Sequence, residues 1–240
     1  MKGIILAGGT GTRLRPMTNI INKHLLPVGK YPMIHYAIRK MAEAGITQLM
    51  LVTGKQSAGL YTEYIGSGKP WGVQVSYGIQ DEAGGIAHAL GIAESFVRSG
   101  EKLMVLLGDN LFEDSLKQAA DEFQRQKGGA RVFLKKVPDP ERYGVAELVD
   151  GRIVRIVEKP ENSPSYYAVT GIYLYDSNVF DIIRSLKPST RGELEITDVN
   201  NAYAAAGELG YSMLSGWWTD AGTHLSLIEA GVRLMGREQP

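Results

Sequence analysis

The sequence predicts an α/β protein with a mainly parallel, partly mixed sheet flanked by helices. Two patterns support this prediction. Up to about residue 126, short apolar runs alternate with stretches of helical spacing, which is typical of strand–helix–strand units and a parallel sheet. Beyond about residue 130, four strand-like runs follow one another before helices return, which predicts mixed pairing. With 240 residues, 44% of them hydrophobic, the chain can bury a large core.

In the first half, strands are predicted at residues 3–7, 47–53, 73–79 and 102–107, and helices at 32–44, 56–65, 85–97 and 114–126. The helix at 32–44 shows the reasoning. Its apolar residues recur at helical spacing after Pro32, which suits an early helix position, and Gly45 favours termination.

In the second half, strands are predicted at residues 131–137, 145–149, 152–158, 168–175 and 209–214, with a turn at Asp150-Gly151. Helices are expected at 178–186, at 195–206 and from about residue 222. The sequence shows no internal repeat or linker, so residues 1–240 are predicted to form one domain. Its parallel half ends near residue 130, and its mixed half covers the sheet edge.

Composition excludes several classes of protein. The chain has no cysteine, which excludes disulfides, thiolate zinc sites and a cysteine nucleophile. No apolar run approaches the ~18 residues of a membrane span, and residues 2–7 are strand-like rather than a signal peptide. We therefore expect a cytoplasmic protein without membrane association. The four histidines have no metal-binding spacing.

Charge is unevenly distributed although the net charge is zero. Residues 1–42 contain seven basic residues and no acidic one, so the remainder is acidic. This asymmetry predicts a local anion site near the N-terminus. A nucleic-acid-binding domain would be basic throughout, so no nucleic-acid partner is expected.

A glycine-rich segment, residues 8–12 (GGTGT), follows the first strand. Glycines there let backbone N–H groups approach phosphate oxygens at the carboxyl edge of a sheet. The segment is not a P-loop, because the sequence has no Gly-x-x-x-x-Gly-Lys-Ser/Thr run, and it is not a dinucleotide fingerprint, because Leu14 stands where a third glycine would be. The nearby Arg13, Arg15 and Lys23 match the charge of a triphosphate. A tight turn without a ligand remains the alternative.

Two aspartates follow apolar segments. Asp109 ends the most apolar strand, which suits a cation or ligand, and the alternative is a cap for the helix near residue 114. Asp220 follows Trp217-Trp218, one of which we expect in the core, and it could cap the last helix. Gln80 ends a strand, where its side chain could contact a ligand. The alternative is an ordinary exposed side chain at a strand end.

Segments along the whole chain resemble the sugar nucleotidyltransferase family, and most closely its members that transfer thymidylate to glucose 1-phosphate. They are residues 8–18 (GGTGTRLRPMT), 23–28 (KHLLPV), 107–110 (LGDN), 139–145 (DPERYGV), 158–160 (EKP), 167–173 (YAVTGIY), 191–198 (RGELEITD) and 220–224 (DAGTH).

The resemblance implies a Rossmann-like sheet of the nucleotide-diphospho-sugar transferase type. It implies that residues 1–130 bind the nucleotide and residues 131–240 the sugar. The implied reaction joins dTTP and glucose 1-phosphate into dTDP-glucose and pyrophosphate by a Mg²⁺-dependent single displacement, the first step toward dTDP-deoxysugars such as dTDP-rhamnose. A homo-oligomer, either dimer or tetramer, is also implied.

The resemblance assigns catalysis to Arg13, Lys23 and Lys159, and Mg²⁺ binding to Asp109 and Asp220. It assigns nucleotide binding to Leu6, Gly8, Gly9, Thr10, Gly11, Thr12, Gln80, Gly85 and Asp109. It assigns sugar binding to Asn110, Tyr143, Gly144, Glu158, Lys159 and Val169.

Two other functions stay open, a transferase that prefers UTP and a catalytically silent sensor of the same fold. His24 stands where some members of the family have glutamine, and residues 81–83 are a variable stretch beside the implied base site. Longer members also carry a helical C-terminal part that contributes to a regulatory site. Because this sequence ends soon after its last predicted helix, we expect any second nucleotide site to be less complete.

Overall fold

A nine-stranded mixed sheet forms the centre of the protein in the computed structural model, which describes residues 1–236. The first half contains β1 (Lys2–Ala7), β2 (Pro27–Val28), β3 (Tyr31–Pro32), α1 (Met33–Glu43), β4 (Gln48–Gly54), α2 (Ala58–Ile65), β5 (Gln74–Gln80), α3 (Ile86–Gly91), β6 (Leu103–Leu107), β7 (Asn110–Phe112) and α4 (Lys117–Arg125). The second half contains β8 (Ala130–Lys136), β9 (Gly144–Val149), β10 (Arg152–Glu158), β11 (Tyr167–Tyr175), α5 (Val179–Ser185), α6 (Ile196–Ala205), β12 (Leu209–Met213), β13 (Trp218–Asp220) and α7 (His224–Met235).

Four parallel strands form one side of the sheet in the order β6-β1-β4-β5. The chain adds β4 and β5 on one side of β1 and then returns to place β6 on the other side. The next two sheet strands after β1 in the chain therefore lie on one side of it, and the sheet strands that follow β6 lie on the opposite side of the pair. In open α/β sheets, such a switch in strand order creates a crevice at the carboxyl ends of the strands.

The second half extends the same sheet with mixed pairing. β11 runs antiparallel to β6 and also pairs with β8 and β9, while β12 lies parallel to β8. The β9–β10 hairpin turns at Asp150 and Gly151, both in the left-handed region with φ of 50° and 73°. The predicted mixed α/β fold is confirmed.

Helices cover both faces of the sheet. One core lies under α1 and α4, where Met41 and Phe123 are fully buried. The second lies under α3, α5 and α6 and includes Leu90 and Tyr203. A smaller apolar cluster lies beneath α7. None of the helices within residues 1–236 is long and apolar enough to cross a bilayer.

Several predicted boundaries were wrong for identifiable reasons. The helix predicted at 85–97 ends at Gly91 and gives way to a 3₁₀ turn at Glu94–Phe96. The helix predicted at 114–126 starts at Lys117, because the Asp114 carboxylate instead accepts hydrogen bonds from residues 215 and 216. The short strands β2, β3, β7 and β13 were not predicted, since two or three residues carry no detectable periodicity.

Candidate active site

Two polar side chains, those of Thr18 and Asn22, donate hydrogen bonds to backbone carbonyls of the glycine-rich segment and of the end of β1. Thr18 Oγ1 donates to the carbonyl of Gly11, 2.7 Å away. Asn22 Nδ2 lies 3.3 Å from the carbonyl of Ala7 and 3.4 Å from that of Gly9. Gly11 has φ of +65°, and a Cβ there would lie 2.9 Å from Thr18. The sequence reasoning missed Asn22, whose type and position gave no signal.

Lys23 and Asp109 form a buried ion pair at the switch point between β1 and β6. The Lys23 Nζ contacts Asp109 Oδ2, and their side chains are only 14% and 10% exposed. Burial, the largest single effect, would raise the pKa of Asp109, but the charge of Lys23, the nearby His24 and the hydrogen bonds from Lys23 and Asn110 together hold that pKa below its usual range. The carboxylate is therefore ionised. Asp109 does not cap a helix.

Asp220 reaches the same place through a short strand pair. β13 runs antiparallel to β7, so Asp220 lies opposite Asn110, and the N–H of Ala221 donates to the carbonyl of Asp109 at 2.9 Å. Burial, and then the charge of Asp109, raise the pKa of Asp220. Its Oδ1 is buried and makes no well-formed hydrogen bond within residues 1–236.

Arg13 lies on the open side of Asp220, with Nη2 3.5 Å from Oδ2 and the side chain 57% exposed. A Cβ on Gly222 would lie 2.6 Å from Asp220 Oδ1 and 2.7 Å from Arg13 Nη2, so a side chain there would require these two groups to shift. Asp220 does not cap the last helix, because Thr223 does so through a capping box with Ser226.

Asn110 connects the two halves of the site. Its Oδ1 accepts from the backbone N–H of Gly171 and from Trp218 Nε1, each at 2.8 Å, and its Nδ2 donates to Asp109 Oδ1 at 3.1 Å. The indole of Trp218 packs edge-on against Tyr143 at 5.3 Å. Trp218 is thus the buried tryptophan of the pair. Its contact with Asn110 was not predicted.

The predicted sugar-side residues lie together at the ends of β9 and β10. The N–H of Lys159 donates to the carbonyl of Tyr143 at 3.0 Å, and Gly144 lies opposite Glu158. Thr197 Oγ1 donates to Glu158 Oε2 at 2.7 Å. Lys159 has φ of 43°, unusual for a residue with a side chain, and its side chain is 52% exposed. Its ammonium lies 3.6 Å from Glu158 Oε1 and stays half exposed, so an anion could reach it from the open side.

Tyr173, which the sequence reasoning missed, lies between the sugar side and Asp109. Burial, and then the charges of Glu158 and Asp109, raise the pKa of this fully buried phenol. Val169, the remaining sugar-side candidate, is half-buried on β11 just before an irregular stretch of its pairing with β8. Arg191 was also missed; its Nη2 lies 3.8 Å from Glu158 Oε1.

The predicted base-side residues lie at the far end of the crevice. Gln80 ends β5 and is only 7% exposed, so it is not an ordinary strand end. Its Nε2 lies 3.0 Å from His88 Nδ1, and a Cβ on Gly8 would lie 2.5 Å from its Oε1. Gly85 has φ of +94° and lies against the carbonyl of Leu194. Leu6 has its side chain in the core, so only its backbone could reach a ligand.

A sheet with its crevice at a switch point, and a buried ion pair beside a glycine loop, define a nucleotide-binding α/β protein. The profile of the nucleotidyl transferase family matches residues 2–235, and the chain belongs to this family. The predicted family is confirmed, and so is the prediction that the protein is an enzyme.

Curated relatives are similar over nearly the whole chain. The glucose-1-phosphate thymidylyltransferase of Xanthomonas campestris pv. campestris is 45% identical over 237 residues, which cover 95% of this chain and 79% of the relative. That of Neisseria meningitidis is 43% identical over 238 residues, covering 96% and 81%.

Solved structures agree. One from Bacillus anthracis, described as a glucose-1-phosphate thymidylyltransferase in complex with a sucrose, has a TM-score of 0.95 and 54% identity, and the match covers 100% of this chain and 97% of that one. A UDP-glucose pyrophosphorylase complexed with UDP-glucose has a TM-score of 0.86 and 28% identity, covering 98% of each chain.

Proposed function

We propose that this protein joins dTTP and glucose 1-phosphate into dTDP-glucose and pyrophosphate. The observation that carries the proposal is the convergence of Lys23, Asp109, Asp220 and Arg13 beside the glycine loop, with Lys159 presented from the sugar side. Cationic groups on two sides of one crevice suit a reaction between two phosphorylated substrates. In this proposal residues 1–130 hold the nucleotide, and the remainder holds the sugar.

The residues carry out a single displacement. A phosphate oxygen of glucose 1-phosphate attacks the α-phosphorus of dTTP, a new P–O bond forms, and the bond to pyrophosphate breaks. A phosphate monoester is largely ionised at pH 7, because its second pKa is about 6, so no general base is needed. Arg13 and Lys23 stabilise charge on the nucleotide phosphates, and Lys159 aligns the sugar phosphate.

Asp109 and Asp220 fit a magnesium ion. Asp220 Oδ1 is buried without a well-formed hydrogen bond within residues 1–236, and burial and the charge of Asp109 raise the pKa of Asp220, so a cation between the two carboxylates would stabilise their ionised forms. Within residues 1–236 no larger cluster of metal-binding side chains exists. Mg²⁺ is commonly held by one or two carboxylates together with phosphate oxygens and water. When bound, Mg²⁺ supplies positive charge to the reacting phosphate.

Pyrophosphate release tests the proposal directly. Purified protein is incubated with glucose 1-phosphate and, separately, dTTP, UTP, CTP, ATP and GTP. We expect dTTP to give the highest kcat/KM and UTP to be weaker. A preference for UTP would favour the uridylyltransferase alternative, and no release with any nucleotide would favour the silent sensor.

We further propose a homo-oligomer that uses the outer face of α7. Four apolar side chains on that face, spaced by three or four positions, are each 62–70% exposed: Leu225, Ile228, Val232 and Met235. Exposed apolar patches of about 300–600 Å² are the largest that typical monomers carry. Since a standard interface needs about 800 Å² per partner, the stripe would form its centre, with the adjoining β2–β3 hairpin extending it. A second copy is the occupant, because a two-fold axis makes one apolar stripe complementary to itself.

Light scattering tests this surface. We expect the wild type to be oligomeric and Ile228→Glu to shift it to monomer, whereas Val154→Glu, at an exposed apolar residue of β10, should not. A monomeric wild type would contradict the proposal.

A further inference from the structure

We propose that His88 is a positioning residue that fixes the orientation of the Gln80 carboxamide and so selects thymine and uracil over cytosine. This inference rests on the proposed function, in that it takes Gln80 to face the nucleotide base. His88 has no assigned role in the reaction as derived above, and it lies two residues into α3.

The geometry of the pair defines donor and acceptor. Gln80 Nε2 lies 3.0 Å from His88 Nδ1. An amide nitrogen only donates, so in this arrangement Nδ1 is the acceptor. The amide nitrogen then faces His88, and the amide oxygen faces away from it.

That orientation points the amide oxygen toward the glycine loop. A Cβ on Gly8 would lie 2.5 Å from Gln80 Oε1, so this oxygen lies against the backbone of Gly8, and a side chain there would displace it. The nitrogen keeps its second N–H, so the side chain in this orientation offers a ligand one acceptor, Oε1, and one donor.

The ring of His88 is itself held in place. A Cβ on Gly84 would lie 2.7 Å from Nδ1, so the ring lies over the Gly84 backbone. The carbonyl of Gly84 accepts from the N–H of Leu194 at 2.8 Å, and the carbonyl of Leu194 accepts from the N–H of Ala87 at 3.1 Å. These bonds tie the start of α3 to the segment before α6 and so fix the backbone from which the ring of His88 projects.

The orientation of the Gln80 amide determines which pyrimidine it can bind. Thymine and uracil carry an N–H at ring position 3, whereas cytosine carries a lone pair there. An amide oxygen binds the first and repels the second, and a flipped amide would do the opposite. A site that holds a polar group in one orientation discriminates strongly, because the wrong base leaves buried groups unpaired.

The test is steady-state pyrophosphate release with dTTP and with dCTP at saturating glucose 1-phosphate. His88→Leu removes the acceptor and frees the amide to rotate. We expect KM for dTTP to rise about 3- to 10-fold, the scale of one hydrogen bond, while kcat changes less. The ratio of kcat/KM for dTTP to that for dCTP should fall by at least this factor. His88→Gln, which offers a carbonyl acceptor, should restore much of the ratio.

Two further measurements make the result decisive. In a Gln80→Ala background, His88→Leu should cause no additional loss of selectivity, because His88 acts only through Gln80. An unchanged dTTP/dCTP ratio in folded His88→Leu, or an equal loss of kcat with both nucleotides, would overturn the inference. A wild type that uses neither dTTP nor UTP would instead overturn the proposed function, so the two failures are distinguishable.

Discussion

The ammonium of Lys23 and the carboxylate of Asp109 lie in direct contact although they are 86 positions apart in the sequence. The pair joins the segment after β1 to the segment after β6, the two strands between which the order of the sheet reverses. Both side chains are mostly shielded from water, and the charge of Lys23 lowers the pKa of Asp109. A buried pair of this kind is costly to break from one side, because the remaining charge has no partner.

Lys23→Ala should therefore impair both catalysis and stability. Loss of one charge-stabilising donor typically lowers the rate by about 10²–10³-fold, and we expect kcat/KM to fall by that factor. The unpaired Asp109 should also reduce the free energy of unfolding by about 3 kcal/mol or more. Steady-state kinetics and urea unfolding measure the two effects. Near-normal kinetics would remove Lys23 from the site.

Arg13→Ala is the matched control, because it removes a cation from the same site whose own side chain is exposed, whereas that of Lys23 is buried. Arg13 is more than half exposed and lies 3.5 Å from Asp220. We expect kcat/KM to fall by a similar 10²–10³-fold, with a change in unfolding free energy below about 1 kcal/mol, as for exposed ion pairs. An equal loss of stability in both variants would contradict the difference in burial.

Lys159→Ala should weaken the sugar phosphate more than the nucleotide. Its side chain is half exposed on the sugar side, and its backbone is fixed to Tyr143. We expect KM for glucose 1-phosphate to rise by at least about 10-fold, the scale of one hydrogen bond to a charged group, and KM for dTTP to change less than about 3-fold. Calorimetric titration with each substrate checks the order, and the reverse order would contradict the assignment.

His24 should make the protein less stable in mild acid. Burial foremost, and then the charge of Lys23, lower the pKa of this histidine to about 3. The folded state therefore binds fewer protons than the unfolded state between pH 6.5 and 3, and stability falls as the pH falls through that window. By pH 5 the loss amounts to about 2 kcal/mol.

The variant His24→Gln isolates this effect, since glutamine can replace the contact with Asn22 without titrating in this range. We expect its unfolding free energy to fall less than that of the wild type between pH 7.5 and pH 5. Parallel pH dependences in the two proteins would show that His24 does not carry the effect.

The sequence predicted the strands and helices that carry strong periodicity, and the family resemblance placed the candidate residues. It could not predict the contacts that hold them. Trp218 and Asn110 meet only because two three-residue strands pair, and such strands leave no periodic signal. Asn22 and Thr197 act on a carbonyl and a carboxylate distant in sequence, so their roles depend on tertiary packing alone. Polar residue types in short loops do not reveal such partners.

Asp109 and Asp220 provide the sharpest prediction. If they share one ion, replacing either should cause the same loss of turnover. Because their surroundings differ, the two replacements should have opposite effects on stability. Asp109→Asn and Asp220→Asn should each abolish most turnover, and the double variant should be little worse than either. Asp109→Asn leaves the ammonium of Lys23 unpaired and should destabilise the fold. Asp220→Asn removes a carboxylate whose ionisation is opposed by burial and by Asp109, so the fold should be as stable or more stable without metal.

Thermal unfolding without metal, and then with Mg²⁺ and dTTP, measures both effects, and only the wild type should gain stability from the additions. Additive losses of turnover would contradict a shared ion, and full activity in excess EDTA would contradict the dependence on metal.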